Sequence, residues 1–294
     1  MADIIPIDRE LISGFEPART ELGHKYSFGT VLVCAGSRYM SGAAVLATGA
    51  ALRSGAGLVR VFSEEKTLDA VRYNEPCALL EPRPDKTADL LRKASDLCKK
   101  SGSVLIGSGM PSDLKDMEAL TSVFLEEAQN LVLDAGAFSD RPDVQDRLKE
   151  LLRARAIPAV LTPHTGEFAR LTGISSREVA GRPEELAANF AEENNCIVIL
   201  KSAITVIAIP DGRVYRLASP NSGFAKGGSG DVLAGLTAGF LAQGMEPYKA
   251  ACSAVFIHSK AGEAAFDDIG IRAVLPSDLI TYLPEGYEEA GWLR

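Results

Sequence analysis

Short apolar runs alternate with helical segments through most of this chain, and that alternation is the sequence feature that most constrains the fold. Five runs of three to six residues are predicted to be buried strands: 30–35, 104–106, 131–134, 159–162 and 197–200. Helical composition or periodicity marks segments between them, such as 41–53, 113–127 and 144–155. Near-continuous apolar strands separated by helices are typical of a mostly parallel sheet that is covered on both faces. We therefore predict an α/β fold of three layers, helix, sheet and helix.

Polar residues and glycines follow each predicted strand at its carboxyl end. These groups are Gly36-Ser37, Gly107-Ser108-Gly109, Asp134-Ala135-Gly136, Thr162-Pro163-His164 and Lys201-Ser202. Because crossovers between parallel strands are right-handed, the carboxyl ends meet at one edge of the sheet. Ligands of such sheets bind beyond that edge. We therefore expect these groups to contribute to one composite site.

A glycine-rich stretch, Lys226-Gly227-Gly228-Ser229-Gly230-Asp231, precedes a small, apolar helical segment at 232–242. A glycine loop that enters a helix presents free backbone N–H groups at the positive end of the helix dipole, which favours an anion such as phosphate. Asp231 would lie beside that anion, where its carboxylate could take a proton from a reacting hydroxyl. The alternative is that Ser229 or Asp231 simply caps the helix. The stretch lacks the Walker A pattern.

Composition excludes several classes of function. The 294 residues carry a net charge of −8 and no basic tract, which argues against nucleic acid as a partner. Five scattered cysteines without a C-x-x-C pair favour a reducing, cytoplasmic location over disulfides or zinc. The three histidines lack metal-site spacing, so no protein metal site is predicted. Charged residues near the amino end and within 43–62 argue against a signal peptide and a membrane span.

Individual polar residues leave two interpretations open. His164 follows a predicted strand and either contacts a ligand or is structural, with Thr165 as a candidate cap of a short helix. Lys201 either holds a phosphate or is a surface lysine. Asp134 either helps to order magnesium or makes a structural hydrogen bond. His258 lies in a helical segment, and we expect it to be packed or at the surface.

Taken together, four blocks of the sequence resemble the ADP- or ATP-dependent NAD(P)H-hydrate dehydratases of the ribokinase-like superfamily. The blocks are residues 24–29, 41–58, 161–168 and 221–235. The resemblance covers nearly the whole chain from about residue 20 and implies a single domain over 1–294, with 1–22 as an N-terminal arm. The sequence departs from the family pattern in having Tyr26 and Ser202 in place of glycine and Ser229 in place of threonine.

The resemblance implies a repair reaction on hydrated NADH or NADPH, in which the S-epimer loses water while ADP or ATP loses its terminal phosphate. It implies catalysis by Asp231 as base, with Gly228, Ser229 and Gly230 stabilising the transferred phosphoryl group. The implied contacts to the hydrated dinucleotide come from Ala43, Gly109, His164 and Asp231. The implied nucleotide contacts come from Lys201, Ser202, Ala203, Ile204, Thr205 and Gly230.

The same resemblance implies Mg²⁺ bound with the nucleotide, a homo-oligomer that is a tetramer in such proteins, and a separate epimerase, because this chain has no room for that domain. Two other functions stay open. One is a ribokinase-fold kinase that phosphorylates a small alcohol such as a vitamin precursor, using the same Asp231 and glycine loop. The other is a non-catalytic nucleotide-sensing protein.

Overall fold

The computed structural model describes residues 4–219 and 222–292, and its centre is one ten-stranded sheet within those ranges. The strand order is β1-β10-β9-β8-β7-β6-β5-β2-β3-β4. The strands are β1 Ile4–Pro6, β2 Thr30–Cys34, β3 Leu58–Ser63, β4 Leu79–Pro82, β5 Ser103–Ile106, β6 Asn130–Leu133, β7 Ala159–Leu161, β8 Cys196–Leu200, β9 Ile204–Ala208 and β10 Val214–Ala218. Among these described strands only β9 runs antiparallel to its neighbours. The prediction of a mostly parallel sheet is confirmed.

Helices cover both faces of the sheet. They are α1 Arg9–Ser13, α2 Ser41–Arg53, α3 Glu65–Asn74, α4 Thr87–Cys98, α5 Met117–Glu127, α6 Pro142–Ala154, α7 Thr165–Thr172, α8 Ser176–Gly181, α9 Pro183–Asn194, α10 Ser229–Ala242, α11 Pro247–Ile269, α12 Pro276–Thr281 and α13 Leu283–Ala290. Short 3₁₀ helices occupy Ala135–Ala137 and Ser222–Phe224. No helix in the described ranges is both long and apolar enough to cross a membrane.

The alternation of side chains along each strand divides the buried residues into two layers. Val31 and Val33 of β2 pack with helices α2, α10 and α11, whereas Leu32 and Cys34 pack on the opposite face with α4 and α5. Successive side chains of a strand point to opposite faces, so a strand that is apolar throughout has both faces buried. The three-layer α/β/α prediction is confirmed.

The strand order reverses between β2 and β5, and this reversal positions the site. From β2 the chain continues through β3 to β4 on one side, and then returns to β5 on the other side of β2. The loops after β2 and β5 meet there, because the N–H of Gly36 donates to the carbonyl of Ser108 at 2.7 Å. Such a reversal leaves a crevice beyond the strand ends, where ligands of these sheets bind.

Close packing explains why α10 is built from small residues. A Cβ added at Gly235 would lie 2.2 Å from the carbonyl oxygen of Ala47, and one at Gly239 would lie 2.0 Å from Ser54 Oγ. Ala47 lies in α2 and Ser54 caps its carboxyl end. The absence of side chains at Gly235 and Gly239 therefore lets the backbones of α10 and α2 approach closely. This contact fixes the position of the amino end of α10.

The amino-terminal segment differs from the expected arm. Ile4–Pro6 pairs in parallel with β10, and Ile12 in α1 is fully buried. Residues 4–13 therefore belong to the fold, because the open edge of β10 offers a row of unpaired backbone groups that another strand can satisfy. Residues 1–3 lie outside the described part of the chain. The single-domain interpretation stays a prediction.

Candidate active site

The glycine loop forms an anion-binding geometry at the amino end of α10. Gly228 caps the helix with φ of 110°, so Ser229, Gly230 and Asp231 occupy its first turn, three residues earlier than the predicted start at 232. Among the described residues, the N–H groups of Gly227, Gly228 and Gly230 have no hydrogen-bond partner. Free N–H groups at the positive end of a helix dipole favour an anion. Asn221, which begins the last resemblance block, lies outside the described residues.

Asp134, which is buried, and Lys201, which is half-buried, form an ion pair at the carboxyl edge of the sheet. Lys201 Nζ lies 3.1 Å from Asp134 Oδ1, and Asp134 is only 2% exposed. The hydroxyls of Ser108 and Thr162 donate to the same carboxylate at 2.8 and 2.7 Å. Residues that follow four different strands thus meet at one edge of the sheet, as the topology predicts. Of the two interpretations of Asp134, the structure shows the hydrogen-bonding one.

Lys201 also reaches the glycine loop. Its Nζ lies 3.1 Å from the position that a Cβ on Gly230 would occupy. Burial favours the neutral amine, but the charges of Asp134, Glu167 and Asp231 outweigh it and raise the pKa of Lys201. The side chain therefore carries a fixed positive charge beside the free N–H groups, where it adds to the attraction for an anion.

The pKa of the Asp231 carboxyl group lies near neutral pH. Burial is the main cause that raises its pKa to about 7, and repulsion from Asp134 adds to it. The cation of Lys201 acts in the opposite direction, while Glu167 raises the pKa slightly further. A carboxyl group with this pKa exchanges a proton readily near neutral pH, which is the property of a general base.

Ala43 and Gly109 lie together at the β2–β5 reversal. A Cβ added at Gly109 would lie 2.4 Å from the Cβ of Ala43 and 2.9 Å from the carbonyl oxygen of Met40. Gly109 also has φ of 64°, a conformation that favours glycine. The two residues therefore form a tight junction at the β2–β5 reversal, on a backbone without bulky side chains. Their contact with a substrate stays a prediction.

His164, not Thr165, is the cap of α7. Its Nδ1 accepts hydrogen bonds from the N–H of Gly166 at 2.9 Å and of Glu167 at 3.3 Å, while its own N–H donates to Glu167 Oε2 at 2.8 Å. The expectation for Thr165 was wrong because the strand ends one residue earlier and the ring nitrogen accepts as a carboxylate would. With Nδ1 accepting, the proton lies on Nε2, which is 3.5 Å from Glu167 Oε1. The side chain is nevertheless 55% exposed, so part of the ring stays available to a ligand.

The segment 201–205 forms the turn between β8 and β9. Ser202 Oγ donates to the carbonyl of Ile204 at 2.6 Å and accepts from its N–H at 3.2 Å, which closes the turn. Ser202 and Ala203 are exposed, and Ile204 and Thr205 are half-buried. Lys201 pairs with His164 through an isolated parallel bridge, so this turn borders the same edge as α7. The serine that replaces the family's glycine therefore has a structural role in the turn.

Two residues of the site received no role from the sequence. His258 of α11, expected to be either packed or at the surface, is buried, and its Nε2 lies 3.2 Å from Ser229 Oγ. Lys226 Nζ donates to the carbonyl of Arg272 at 2.8 Å and to that of Val274, which anchors the glycine loop to the segment before α12. Neither contact has a local sequence signal, because each joins residues 29 or more positions apart.

A metal cage is not found in the described ranges, where no group of three or more His, Cys, Asp and Glu side chains could hold an ion. Three of the lone-pair directions of Asp134 are taken by Ser108, Thr162 and Lys201. The residues present therefore suit a Mg²⁺ ion whose ligands are mainly phosphate oxygens and water, with at most a single carboxylate contact.

Comparisons with known proteins show the family of the chain. A family profile described as NAD(P)H-hydrate dehydratase matches residues 31–285. The chain is 32% identical over 270 residues to the ADP-dependent (S)-NAD(P)H-hydrate dehydratase of Bacillus subtilis, covering 91% of this chain and 92% of that protein. It is 35% identical over 274 residues to the bifunctional NAD(P)H-hydrate repair enzyme Nnr of Moorella thermoacetica, covering 91% of this chain but only 51% of the relative. The chain thus spans about half the length of such bifunctional relatives.

A solved structure extends the comparison to three dimensions. The ADP/ATP-dependent NAD(P)H-hydrate dehydratase of Bacillus subtilis, co-crystallised with ATP and Mg²⁺, superposes with a TM-score of 0.87 at 30% identity. The superposition covers 98% of this chain and 99% of that one. Profile, sequence and structure agree over nearly the whole described chain, with the ribokinase-like fold that the resemblance implied. The chain belongs to the NAD(P)H-hydrate dehydratase family.

Proposed function

We propose that this protein is a metabolite-repair lyase that dehydrates the S-epimer of hydrated NADH or NADPH to NADH or NADPH. ADP or ATP is converted to AMP or ADP and phosphate in the same reaction. The observation that carries the proposal is the arrangement at the amino end of α10. There a carboxyl group with pKa near 7 lies beside three free N–H groups and a fixed ammonium group.

The first step is phosphoryl transfer. Asp231 takes the proton from the hydroxyl of the hydrated ring, and that oxygen forms a bond to the terminal phosphorus as the bond to the nucleotide breaks. Gly228 and Gly230 stabilise the charge on the transferred group through free backbone N–H donors, and Ser229 contributes through its place in the first turn of the helix. The cation of Lys201, held by Asp134, offsets the negative charge of the nucleotide phosphates.

The second step is elimination. The ring carbon–oxygen bond breaks and phosphate leaves with its electron pair, while the ring nitrogen supplies electrons and a proton on the neighbouring carbon is lost. The reduced ring is restored. Water has in effect been transferred from the hydrate to the nucleotide, so the atoms balance without a further reactant.

Two halves of the site would hold the two ligands. The nucleotide half is the turn from Lys201 to Thr205 and the glycine loop, which meet where Lys201 Nζ approaches Gly230. The dinucleotide half is built on Ala43, Gly109 and the exposed edge of His164. Mg²⁺ bound to the nucleotide would neutralise phosphate charge. We propose ADP as the preferred nucleotide, in line with the ADP-dependent relative of similar length.

Cellular context follows from the same proposal. A separate epimerase would convert the other epimer of the hydrate, the protein would lie in the cytoplasm, and it would assemble as a homo-oligomer, a tetramer by family likeness. Size-exclusion chromatography with light scattering tests the assembly, and a single-subunit mass would overturn it.

The test of function follows both products. Purified protein is incubated with hydrated NADH and Mg²⁺, with ADP in one arm and ATP in the other. We expect the absorbance of the reduced ring to recover with equimolar release of phosphate, faster with ADP. A stable phosphate ester of a small alcohol, with no turnover of the hydrate, would identify a kinase instead. Binding of nucleotide without turnover of any substrate would identify a nucleotide-sensing protein.

A further inference from the structure

The glycine loop is attached to α11 by a histidine that the proposed mechanism does not use. His258 is 9% exposed, and its Nε2 lies 3.1 Å from the carbonyl oxygen of Ser229 and 3.2 Å from Ser229 Oγ. Ser229 is the first residue of α10, between two glycines whose N–H groups are free. The histidine therefore contacts the loop that forms the anion site, through Ser229, which is itself only 8% exposed.

The two oxygen contacts determine which ring nitrogen carries the proton. A carbonyl oxygen only accepts hydrogen bonds, so a contact of 3.1 Å requires a hydrogen on Nε2. That hydrogen is shared between the carbonyl and the hydroxyl oxygen of Ser229. The ring is stacked on Phe224 with centroids 5.2 Å apart, and burial lowers the pKa of His258 to about 4. The ring is thus neutral at pH 7, with Nδ1 unprotonated.

The environment of Phe224 keeps the ring in this position. A Cβ added at Gly262 would lie 2.3 Å from the Phe224 ring, and Phe266 meets that ring edge-on at 4.9 Å. Gly262 and Phe266 lie on α11 together with His258. Phe224 therefore packs against Gly262 and Phe266 of α11, and its ring covers one face of the His258 imidazole.

The shared hydrogen has a consequence for the hydroxyl of Ser229. Because His258 donates to Ser229 Oγ, the hydroxyl hydrogen must point elsewhere, and Oγ has no other hydrogen-bond partner among the described residues. We propose that His258 is a positioning residue that holds Ser229 as a hydrogen-bond donor towards the transferred phosphoryl group. The role in phosphoryl transfer rests on the proposed function. The hydrogen-bond direction does not.

The direction of the hydrogen bond is tested without any turnover. NMR of protein with ¹⁵N-labelled histidine, with the His258 signals assigned by their loss in His258→Gln, reports which ring nitrogen carries hydrogen. We expect Nε2 protonated and Nδ1 unprotonated at pH 7. A ring protonated on Nδ1, with Nε2 accepting from the Ser229 hydroxyl, would overturn the proposal, whatever the enzyme does.

The catalytic consequence is tested by a double-mutant cycle on kcat. A hydrogen bond to a charged group is worth enough that Ser229→Ala and His258→Leu should each lower kcat about 10-fold, with the KM for the hydrated dinucleotide unchanged. If His258 acts through Ser229, the double variant should also lose about 10-fold rather than about 100-fold. His258→Gln, which retains an N–H donor, should recover most of the activity lost in His258→Leu.

A matched control separates this role from simple packing. Ser253 lies on the same helix, is fully buried, and its hydroxyl has no hydrogen-bond partner in the described structure. Ser253→Ala should leave kcat unchanged. Multiplicative losses in the double variant, or equal losses for His258→Gln and His258→Leu, would overturn the positioning role. A wild-type protein without dehydratase turnover would contradict the proposed function and leave the NMR result to decide the bond direction.

Discussion

Replacing Asp231 by Asn should stabilise the folded protein at alkaline pH even as it removes the proposed base. Burial and the charge of Asp134 raise the pKa of Asp231 from 3.8 to about 7. The folded state therefore binds this proton more tightly than the unfolded chain does. Stability linked to this group is present at low pH and is lost as pH rises from about 4 to about 7. Above that range the wild-type protein carries a buried, partly repelled carboxylate.

The size of the effect follows from the shift. A difference of roughly three pKa units corresponds to about 4 kcal/mol at most, since one unit is worth about 1.4 kcal/mol. The attraction of Lys201 is already contained in that shift, but Asn does not reproduce every hydrogen bond of the protonated acid, so we expect about 2 kcal/mol at pH 8. The amide of Asn has similar volume and no charge, so packing is retained.

Urea unfolding at pH 5 and pH 8, followed by circular dichroism, measures this directly. The gain of Asp231→Asn over wild type should be clearly larger at pH 8 than at pH 5. A surface control, Asp143→Asn on α6, contacts Arg141 only at the exposed surface and should show no such gain. An Asp231→Asn protein that is less stable than wild type at pH 8, or equally stabilised at both pH values, would refute the account of this carboxyl group.

Further outcomes follow from the other contacts of the site. Lys201→Ala should raise the KM for nucleotide more than that for the hydrated dinucleotide, and an unchanged nucleotide KM would remove the proposed nucleotide half. His164→Ala should weaken binding of the hydrated dinucleotide more than binding of ADP in calorimetry, whereas equal losses or a collapse of Tm would identify a purely structural cap. Gly235→Ala should destabilise the protein by about 1–3 kcal/mol, because the new Cβ meets a backbone oxygen at 2.2 Å. Gly181→Ala, where the added Cβ meets nothing within 4 Å, is its control in urea unfolding.

The topology could be predicted because it depends on patterns that are local in sequence. Apolar strands that end in Asp134, Thr162 and Lys201 are recognised one at a time, and the rules of parallel sheets bring their ends together. The meeting of these three residues at one edge of the sheet could be predicted without knowledge of side-chain detail, whereas their contacts with the Asp134 carboxylate could not. The glycine loop was found for the same reason, since its composition and the helix after it are contiguous.

The parts that were missed depend on contacts between distant segments. His258 and Ser229 are 29 positions apart, and nothing in the helical pattern of α11 shows which residue meets the loop. The pKa of Asp231 depends on burial and on neighbours from three other elements, which only the folded arrangement supplies. The N-terminal strand was missed because three weakly apolar residues form a strand only when β10 offers an edge.

The most direct test of the central claim is the turnover of Asp231→Asn compared with its binding of nucleotide. The rate of recovery of the reduced-ring absorbance from hydrated NADH and ADP should fall by about 10²–10⁴-fold, the usual contribution of a general base. The Kd for ADP, measured by calorimetry on the same protein, should stay within a few-fold of the wild-type value. A variant with nearly normal kcat would contradict the assignment of Asp231 as the base at the amino end of α10.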